Sequence, residues 1–372
     1  MAAPARPPGD REPHMQETRP YRRPARGQAR RTRRSAPREG RPISWRRRVK
    51  VGGVLVAGLL VIGVVLLWQR AAAFNDAVST APAMSMRLFG PFSPERVNVL
   101  LLGYSDESRE GAYLSDSINV ISIDKATDTT SIIAIPRDLW VEGIEEVPQN
   151  MKINEAFRIG YYADGLTYAA ELAAKTVSHV TGLEIHGWIS LDFEGFQAMV
   201  DAIGGITLEN PTAFDYAWHP DHFASGYFPH TFEQGQLELD GDQALDYARA
   251  RYASVPEEAS DFARLARQQR VMQAIRSEIN GWHALPKGLS IADALPGHLH
   301  TNLPILDLAM LTGHLDPGTR IELKEGEILQ ATTTTTGQYT LIVIGRGSPT
   351  DYQPLHRYIG LHMTVTAEGH GP

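Results

Sequence analysis

The feature that most constrains this chain is an apolar run near its start. Val51 to Trp68 are 18 consecutive uncharged and mostly apolar residues. As a helix, the run extends about 27 Å, close to the roughly 30 Å hydrocarbon thickness of a bilayer. The sequence therefore predicts one transmembrane helix over residues 51–70.

The basic residues around this run predict its orientation. Four precede it directly and only Arg70 follows it closely; the four are Arg46, Arg47, Arg48 and Lys50. By the positive-inside rule, the N-terminus stays in the cytoplasm and the rest of the chain lies outside the cell membrane. A cleaved signal peptide is the alternative, because Ala71-Ala72-Ala73 and Ala81-Pro82-Ala83 resemble cleavage sites. The length of the run favours the anchor, and either reading exports the body.

Charge divides the chain at the same place. Residues 1–50 hold 16 basic and 4 acidic residues, a net charge of +12, whereas the rest holds 20 basic and 39 acidic residues, a net charge of −19. The basic segment has little to bury, so we expect a disordered cytoplasmic tail. Its arginine runs would also suit a nucleic-acid arm, but the adjacent apolar run favours a role in topology, and no nucleic acid is expected.

The body reads as one α/β domain. The absence of cysteine excludes disulfide frameworks and thiol nucleophiles. Alternating strand and helix patterns predict a central mixed sheet flanked by helices in three layers. Strands are predicted over 97–103, 117–124, 129–135, 186–192 and 206–209, and helices over 164–180, 193–203, 240–248 and 261–279. The predicted organisation is a tail over 1–50, the membrane helix over 51–70, a tether over 71–95, an extracellular domain over 96–362 with its core at 97–283, and a tail over 363–372.

The basic residues of the body are unevenly placed. No Lys or Arg lies between Lys175 and Arg249, a gap of 73 residues, and six arginines then fall within 28 residues: 249, 251, 264, 267, 270 and 276. Arg249 and Arg251 share one face of an extended segment, and Arg264 and Gln268 share one face of a helix. A solvated helix face with local ion pairs is the plainer reading. Convergent guanidinium groups, with Arg137 after the third strand, suit phosphate oxygens.

Two aspartates complete this pattern. Asp106 follows the first strand and Asp116 opens the second. Taken singly, each is a common turn or capping residue. Together with several arginines, they form the set that a Mg²⁺-bridged pyrophosphate requires, because carboxylates bind the metal and guanidinium groups neutralise the remaining charge.

An ordered set of motifs runs through the body of the chain. These are Asn98–Gly103, Ser115-Asp116-Ser117, Ile135–Asp138, Lys152–Ala156, Phe193–Phe196, Val200–Ile206, Leu239-Asp240-Gly241, Tyr247–Arg251, Asp261–Arg264 and Arg267-Gln268-Gln269. In these motifs the sequence resembles the LytR-CpsA-Psr family of membrane-anchored bacterial wall enzymes. The resemblance covers about residues 97–280 and continues more weakly to about 362.

The resemblance implies a transferase that moves an anionic or other glycopolymer from a polyprenyl-pyrophosphate carrier to peptidoglycan and leaves a phosphodiester link. It implies Mg²⁺ or Mn²⁺ held by Asp106 and Asp116, with Asp116 or a neighbouring carboxylate assisting deprotonation of the acceptor hydroxyl. It places the catalytic chemistry on Asp116, Arg137, Arg249 and Arg251, and the pyrophosphate on Arg137, Lys152, Arg249, Arg251, Arg264 and Gln268.

The sequence departs from the family pattern at two positions, and the residues also allow two alternative functions. Leu114 stands where the family usually has Arg, and Ala263 replaces a usual Gly. The alternatives are a polyprenyl-pyrophosphate hydrolase that uses the same site, and a non-catalytic protein that binds or regulates the cell envelope.

Overall fold

The computed structural model describes residues 45–105, 107, 111–147, 149–217, 230–250, 252–279, 284–314 and 319–368. The chain divides into two units, residues 1–59 and 60–372. In the first unit the described residues 45–59 are helical, so the helix begins within the segment predicted as a disordered tail, and residues 1–44 lie outside the described part. Among the described residues, we find no helix that combines the length and the apolar character needed to cross a bilayer.

The helices and strands have the following bounds. The helices are α1 Trp45–Val78, α2 Glu155–Thr181, α3 Phe193–Ala202, α4 Gly241–Arg249, α5 Asp261–Ile279, α6 Ala284–Ala294, α7 Ile305–Leu311 and α8 Gln353–Glu368. The strands are β1 Arg96–Tyr104, β2 Ser115–Asp124, β3 Thr129–Ala134, β4 Trp140–Val141, β5 Met151–Lys152, β6 Gly187–Asp192, β7 Ile206–Asn210, β8 Phe214–Ala217, β9 His230–Phe232, β10 Gly235–Leu239, β11 Tyr252–Ala253, β12 Leu299–Thr301, β13 Thr319–Glu322, β14 Leu329–Thr333 and β15 Tyr339–Val343.

The central sheet has six strands in the order β12-β6-β1-β2-β3-β13. Strand β2 runs antiparallel to β1 and β3, while β6 is parallel to β1 and β13 is parallel to β3. The end of β1, the start of β2, the end of β3 and the end of β6 therefore lie along one edge of the sheet. We call this line, marked by Tyr104, Ser115, Ala134 and Asp192, the upper edge.

Alternating side chains cover both faces of the sheet. On one face, residues such as Leu100, Val120 and Ile133 pack in a cluster that includes α2 and α8. On the other face, a second cluster holds Val99 and Ile121. A separate cluster joins α3, α4 and α5 to the small strands β7 to β11. The prediction of a mixed sheet flanked by helices is confirmed.

Helix α2 begins earlier than predicted. It starts at Glu155 and bends at Asp164 and Gly165, where the backbone leaves helical geometry. Gly165 has a φ of 77°, a left-handed conformation that glycine adopts without strain. The predicted start at 164 therefore marks this bend and not the beginning of the helix.

Part of the segment predicted as a tether is helical and contacts other parts of the chain. Residues 71–78 belong to α1, and the buried Asn75 donates to the carbonyl of Ala81 (2.8 Å) and accepts from the backbone of Ile305 (2.9 Å). The Asp307 carboxylate accepts from the backbone of Arg87 (2.6 Å), which holds the following stretch. In the segment predicted as a tail, α8 continues to Glu368, and residues 369–372 lie outside the described part.

Candidate functional site at the upper edge of the sheet

A β-bulge places Asp116 at the upper edge. Gly103 pairs with Ser117 and the next residue, Tyr104, pairs with Ser115, so Asp116 is the extra residue of the ladder. A bulge re-aims a side chain that regular pairing would hold in line with the sheet. Gly103 suits the position, since a Cβ there would lie 3.2 Å from the Cβ of Ser117.

Arg137 meets Asp116 across this edge. It follows β3 after Pro136, and its Nη1 donates to Oδ1 of Asp116. The two side chains are 18% and 19% exposed, so the pair is accessible from solvent. The second oxygen of Asp116 accepts no hydrogen bond from the described residues. The pair thus offers a cation and a carboxylate oxygen side by side.

Lys152 joins the same cluster through a short ladder. Trp140 of β4 pairs with Lys152 of β5, which brings the ammonium of Lys152 to 2.6 Å from Oδ1 of Asp138. Asp138 is almost fully buried and also lies 3.7 Å from Nε of Arg137. The four side chains alternate in sign in the order Asp116, Arg137, Asp138, Lys152, and we call them the charge row.

Gln268 connects the charge row to the arginine-rich helices. Its Oε1 accepts from the hydroxyl of Ser117 (3.3 Å), and its Nε2 donates to the carbonyl of Ala248 (3.4 Å). Ser117 adjoins Asp116 in sequence, and Ala248 adjoins Arg249 at the end of α4. Arg264, buried to 4% exposure, lies one turn before Gln268 on α5. The structure therefore brings together the elements that carry Arg137, Arg249, Arg264 and Gln268.

The position of Arg249 is set by both ends of α4. Asp240 caps the start of the helix in a capping box with Gln243. Gly241 allows close packing, since a Cβ there would lie 2.4 Å from the carbonyl oxygen of Gln197. At the other end the guanidinium of Arg249 lies 4.3 Å from the ring centre of Phe193, a cation–π contact.

Two predicted site residues, Asp106 and Arg251, lie outside the described residues. Within the described part, no three His, Asp or Glu side chains cluster closely enough to hold a metal ion. Asp116 supplies a hard carboxylate oxygen of the kind that Mg²⁺ prefers, and such sites commonly draw further ligands from substrate phosphates and water. The donor chemistry thus fits a divalent cation bound together with a phosphate ligand.

Sequence reasoning missed several residues of this site. The sequence marks Asp138 only as part of a motif, and its partner Lys152 lies 14 residues away across a two-residue ladder with no detectable pattern. The roles of Ser117 and Phe193 depend on contacts with distant helices. The one available signal was the unusual Pro-Arg-Asp sequence after β3, where a polar pair follows a buried strand.

Known proteins and solved structures resemble this chain in sequence and in fold. The profile of the LytR_cpsA_psr family matches residues 68–345. A protein of Oceanobacillus iheyensis named polyisoprenyl-teichoic acid–peptidoglycan teichoic acid transferase TagU is 32% identical over 280 residues, which cover 70% of this chain and 78% of that protein. The crystal structure of B. subtilis TagV superposes with a TM-score of 0.53 at 22% identity, over 73% of this chain and 98% of that one. TagT bound to LIIa-WTA superposes with a TM-score of 0.53 at 19% identity, over 77% of this chain and all of that one. The chain belongs to the LytR-CpsA-Psr family.

Proposed function

We propose that this chain transfers a glycopolymer from a polyprenyl-pyrophosphate carrier to peptidoglycan and forms a phosphodiester link. The observation that carries the proposal is the charge row, which Gln268 links to the helices that bear Arg249 and Arg264. The name of the Oceanobacillus iheyensis relative supports the same reaction class. The similarity to TagT, whose structure holds LIIa-WTA, supports a wall-polymer ligand.

In this proposal the cations bind the diphosphate. Arg137, Lys152, Arg249 and Arg264 neutralise the phosphate oxygens, with Gln268 as a neutral donor and Arg251 as a further cation. Phosphoryl transfer depends mainly on in-line positioning and charge neutralisation. An acceptor sugar hydroxyl forms a bond to the phosphorus next to the glycopolymer. The bond from that phosphorus to the bridging oxygen breaks, and polyprenyl phosphate leaves with the electron pair.

Asp116 is suited to take the proton of the acceptor hydroxyl. Its side chain is 19% exposed, whereas the side chain of Asp138 is 5% exposed and engaged by Lys152. Asp116, together with Asp106, would also hold Mg²⁺ or Mn²⁺ when the cation is bound. The cation would neutralise phosphate charge in the transition state.

We also propose that the chain is a single-pass protein of the cell membrane, with its N-terminus in the cytoplasm and its domain outside. The apolar run and the basic residues before it support this topology. So does the exposure of large apolar side chains on α1, such as Ile62 (56%), Val64 (67%) and Leu66 (56%). A reporter fused after residue 372 should be active outside the cytoplasm; activity only in the cytoplasm would contradict the orientation.

The transfer experiment uses the full chain in detergent with Mg²⁺, a synthetic polyprenyl-pyrophosphate glycan and peptidoglycan fragments. We expect release of polyprenyl phosphate and a phosphodiester-linked product, both strongly reduced in R137M. K175M is the matched control, because Lys175 pairs with Glu146 on the surface with 60% of its side chain exposed. Release without an acceptor would favour the hydrolase, binding without turnover would favour the regulator, and equal turnover in R137M would contradict the assigned site.

A further inference from the structure

Arg267 is a fully buried charged side chain within the described part of the chain. It lies on α5 between Arg264 and Gln268, has 0% exposure, and is the largest fully buried side chain. Its guanidinium carbon lies 5.0 Å from the ring centre of Phe214. Unlike Arg137, it has no surface from which a ligand could be reached.

All three nitrogens of this guanidinium donate hydrogen bonds. Nε donates to the carbonyl of Tyr247 (3.1 Å), and Nη1 donates to the carbonyl of Glu258 (3.0 Å) and to its carboxylate. Nη2 donates to the carbonyl of Ala250. Three of the four acceptors are therefore backbone oxygens of the single stretch 247–258.

This stretch contains the end of α4, where the last carbonyls of a helix have no partner within the helix. Arg267 satisfies the carbonyl of Tyr247 and Gln268 satisfies that of Ala248. Arg267 also holds the carbonyl of Ala250, just beyond the helix. Two adjacent side chains of α5 thus fix the backbone on both sides of Arg249.

We infer that Arg267 is a positioning residue that clamps the backbone at residues 247–250 so that Arg249 meets the diphosphate. The inference rests on the proposed function, because it assigns Arg249 to diphosphate binding. The backbone at the end of α4 determines where the side chain of Arg249 lies. A displacement of about 1 Å in a side chain that binds substrate can lower the rate about 100-fold.

The charge of Arg267 is matched inside the domain. Glu258 is 6% exposed and its carboxylate accepts from Nη1. Burial lowers the pKa of the Arg267 guanidinium, and the Glu258 carboxylate opposes that shift. Replacing a buried ion pair by apolar residues of similar volume is often neutral for stability, whereas removing one partner is costly. Stability and positioning can therefore be separated by a double variant.

The experiment compares full-length wild type, R267M, E258M, the double variant R267M/E258M and the control K175M in detergent. Lys175 lies on α2 and pairs with Glu146 at the surface, with 60% of its side chain exposed. For each protein the thermal midpoint, kcat and KM of transfer are measured. We expect R267M to lower the midpoint and the double variant to recover most of it, while kcat of the double variant stays at least about tenfold below wild type. K175M should match wild type in all three.

A merely structural role predicts that the double variant recovers both the midpoint and kcat, and this result would overturn the inference. If the double variant does not fold, R267K decides: its ammonium can neutralise Glu258 but cannot reach three carbonyls as a fork, so we expect a low kcat in a folded protein. A folded R267K with the kcat of wild type would equally overturn the inference.

The experiment also distinguishes a failure of the proposed function from a failure of the inference about Arg267. If wild type transfers nothing, that function is wrong, and the affinity of the same proteins for inorganic pyrophosphate then tests the clamp. A loss of about tenfold in the folded double variant would support it, and an unchanged affinity would overturn it.

Discussion

The domain contains two arginine-centred clusters that use the same charge in opposite ways. In the charge row, Arg137 is 18% exposed and holds a carboxylate that solvent also reaches. In the buried clamp, made of Arg267 and Glu258, the guanidinium has no exposure and all its nitrogens donate to protein oxygens. The first can exchange its partner for a phosphate; the second cannot.

The difference shows why arginine density alone does not mark a binding site. Arg264 and Arg267 are one turn apart on α5, and both are buried. Arg267 stabilises the backbone at the end of α4, whereas Arg137 lies where a ligand can contact it. A buried cation whose nitrogens all donate to protein oxygens, as in Arg267, stabilises the fold, whereas a cation with a replaceable partner, as in Arg137, can bind a ligand.

The largest expected effect is a loss of stability when the buried clamp is broken. R267M leaves the Glu258 carboxylate buried without its partner, so the free energy of unfolding should fall by about 3–5 kcal/mol. R137M should lower it by less than R267M, because both side chains of the pair that it removes retain contact with solvent. Chemical denaturation of full-length protein in detergent measures both, and similar losses in the two variants would break the comparison.

The second-largest expected effect is on the rate of transfer, and it comes from a variant of the charge row. R137M should lower the rate of transfer about 10²–10³-fold, because a donor aimed at developing charge is lost. R137K should recover only part of the rate, since an ammonium cannot reproduce the planar fork. A steady-state assay with the lipid-linked glycan measures this, and K175M should behave as wild type.

A third prediction concerns Lys152 and the buried Asp138. K152M leaves Asp138 without its ammonium donor, so we expect stability to fall by about 1–3 kcal/mol. D138N removes the buried charge and should lose less stability. Thermal unfolding of the two variants compares them, and a larger loss in D138N would contradict the assigned pairing.

The smallest expected effect comes from D240A, which serves as a control for the comparison of the two clusters. D240A removes the capping box at the start of α4 and should cost about 1 kcal/mol of stability. The end of α4 that carries Arg249 stays held by Arg267 and Gln268, so the affinity for diphosphate should barely change. Calorimetry and pyrophosphate titration measure the two, and a large loss of affinity would show that stability alone controls the site.

Much of the fold was predictable because its patterns are local. Apolar sequence patterns predicted β1, β2 and β3, and the sequence placed Asp116 at the start of the second strand and Arg137 after the third. The pairing of Lys152 with Asp138 was not predictable, because β4 and β5 have two residues each. Nor could the spacing on α5 predict the different roles of Arg264 and Arg267, because the hydrogen bonds of Arg267 depend on how α5 packs against the end of α4.

The central claim is that side chains distant in sequence bind one diphosphate together. The direct measurement is a double-mutant cycle on the affinity of the full-length protein for a short, soluble prenyl diphosphate in Mg²⁺, with R137M, R249M and the double variant. We predict that each single variant loses at least about tenfold in affinity and that the double variant departs from additivity by about 0.5 kcal/mol or more, as for residues that share one ligand. Wild-type affinity in either single variant, or strict additivity of the two losses, would contradict the claim.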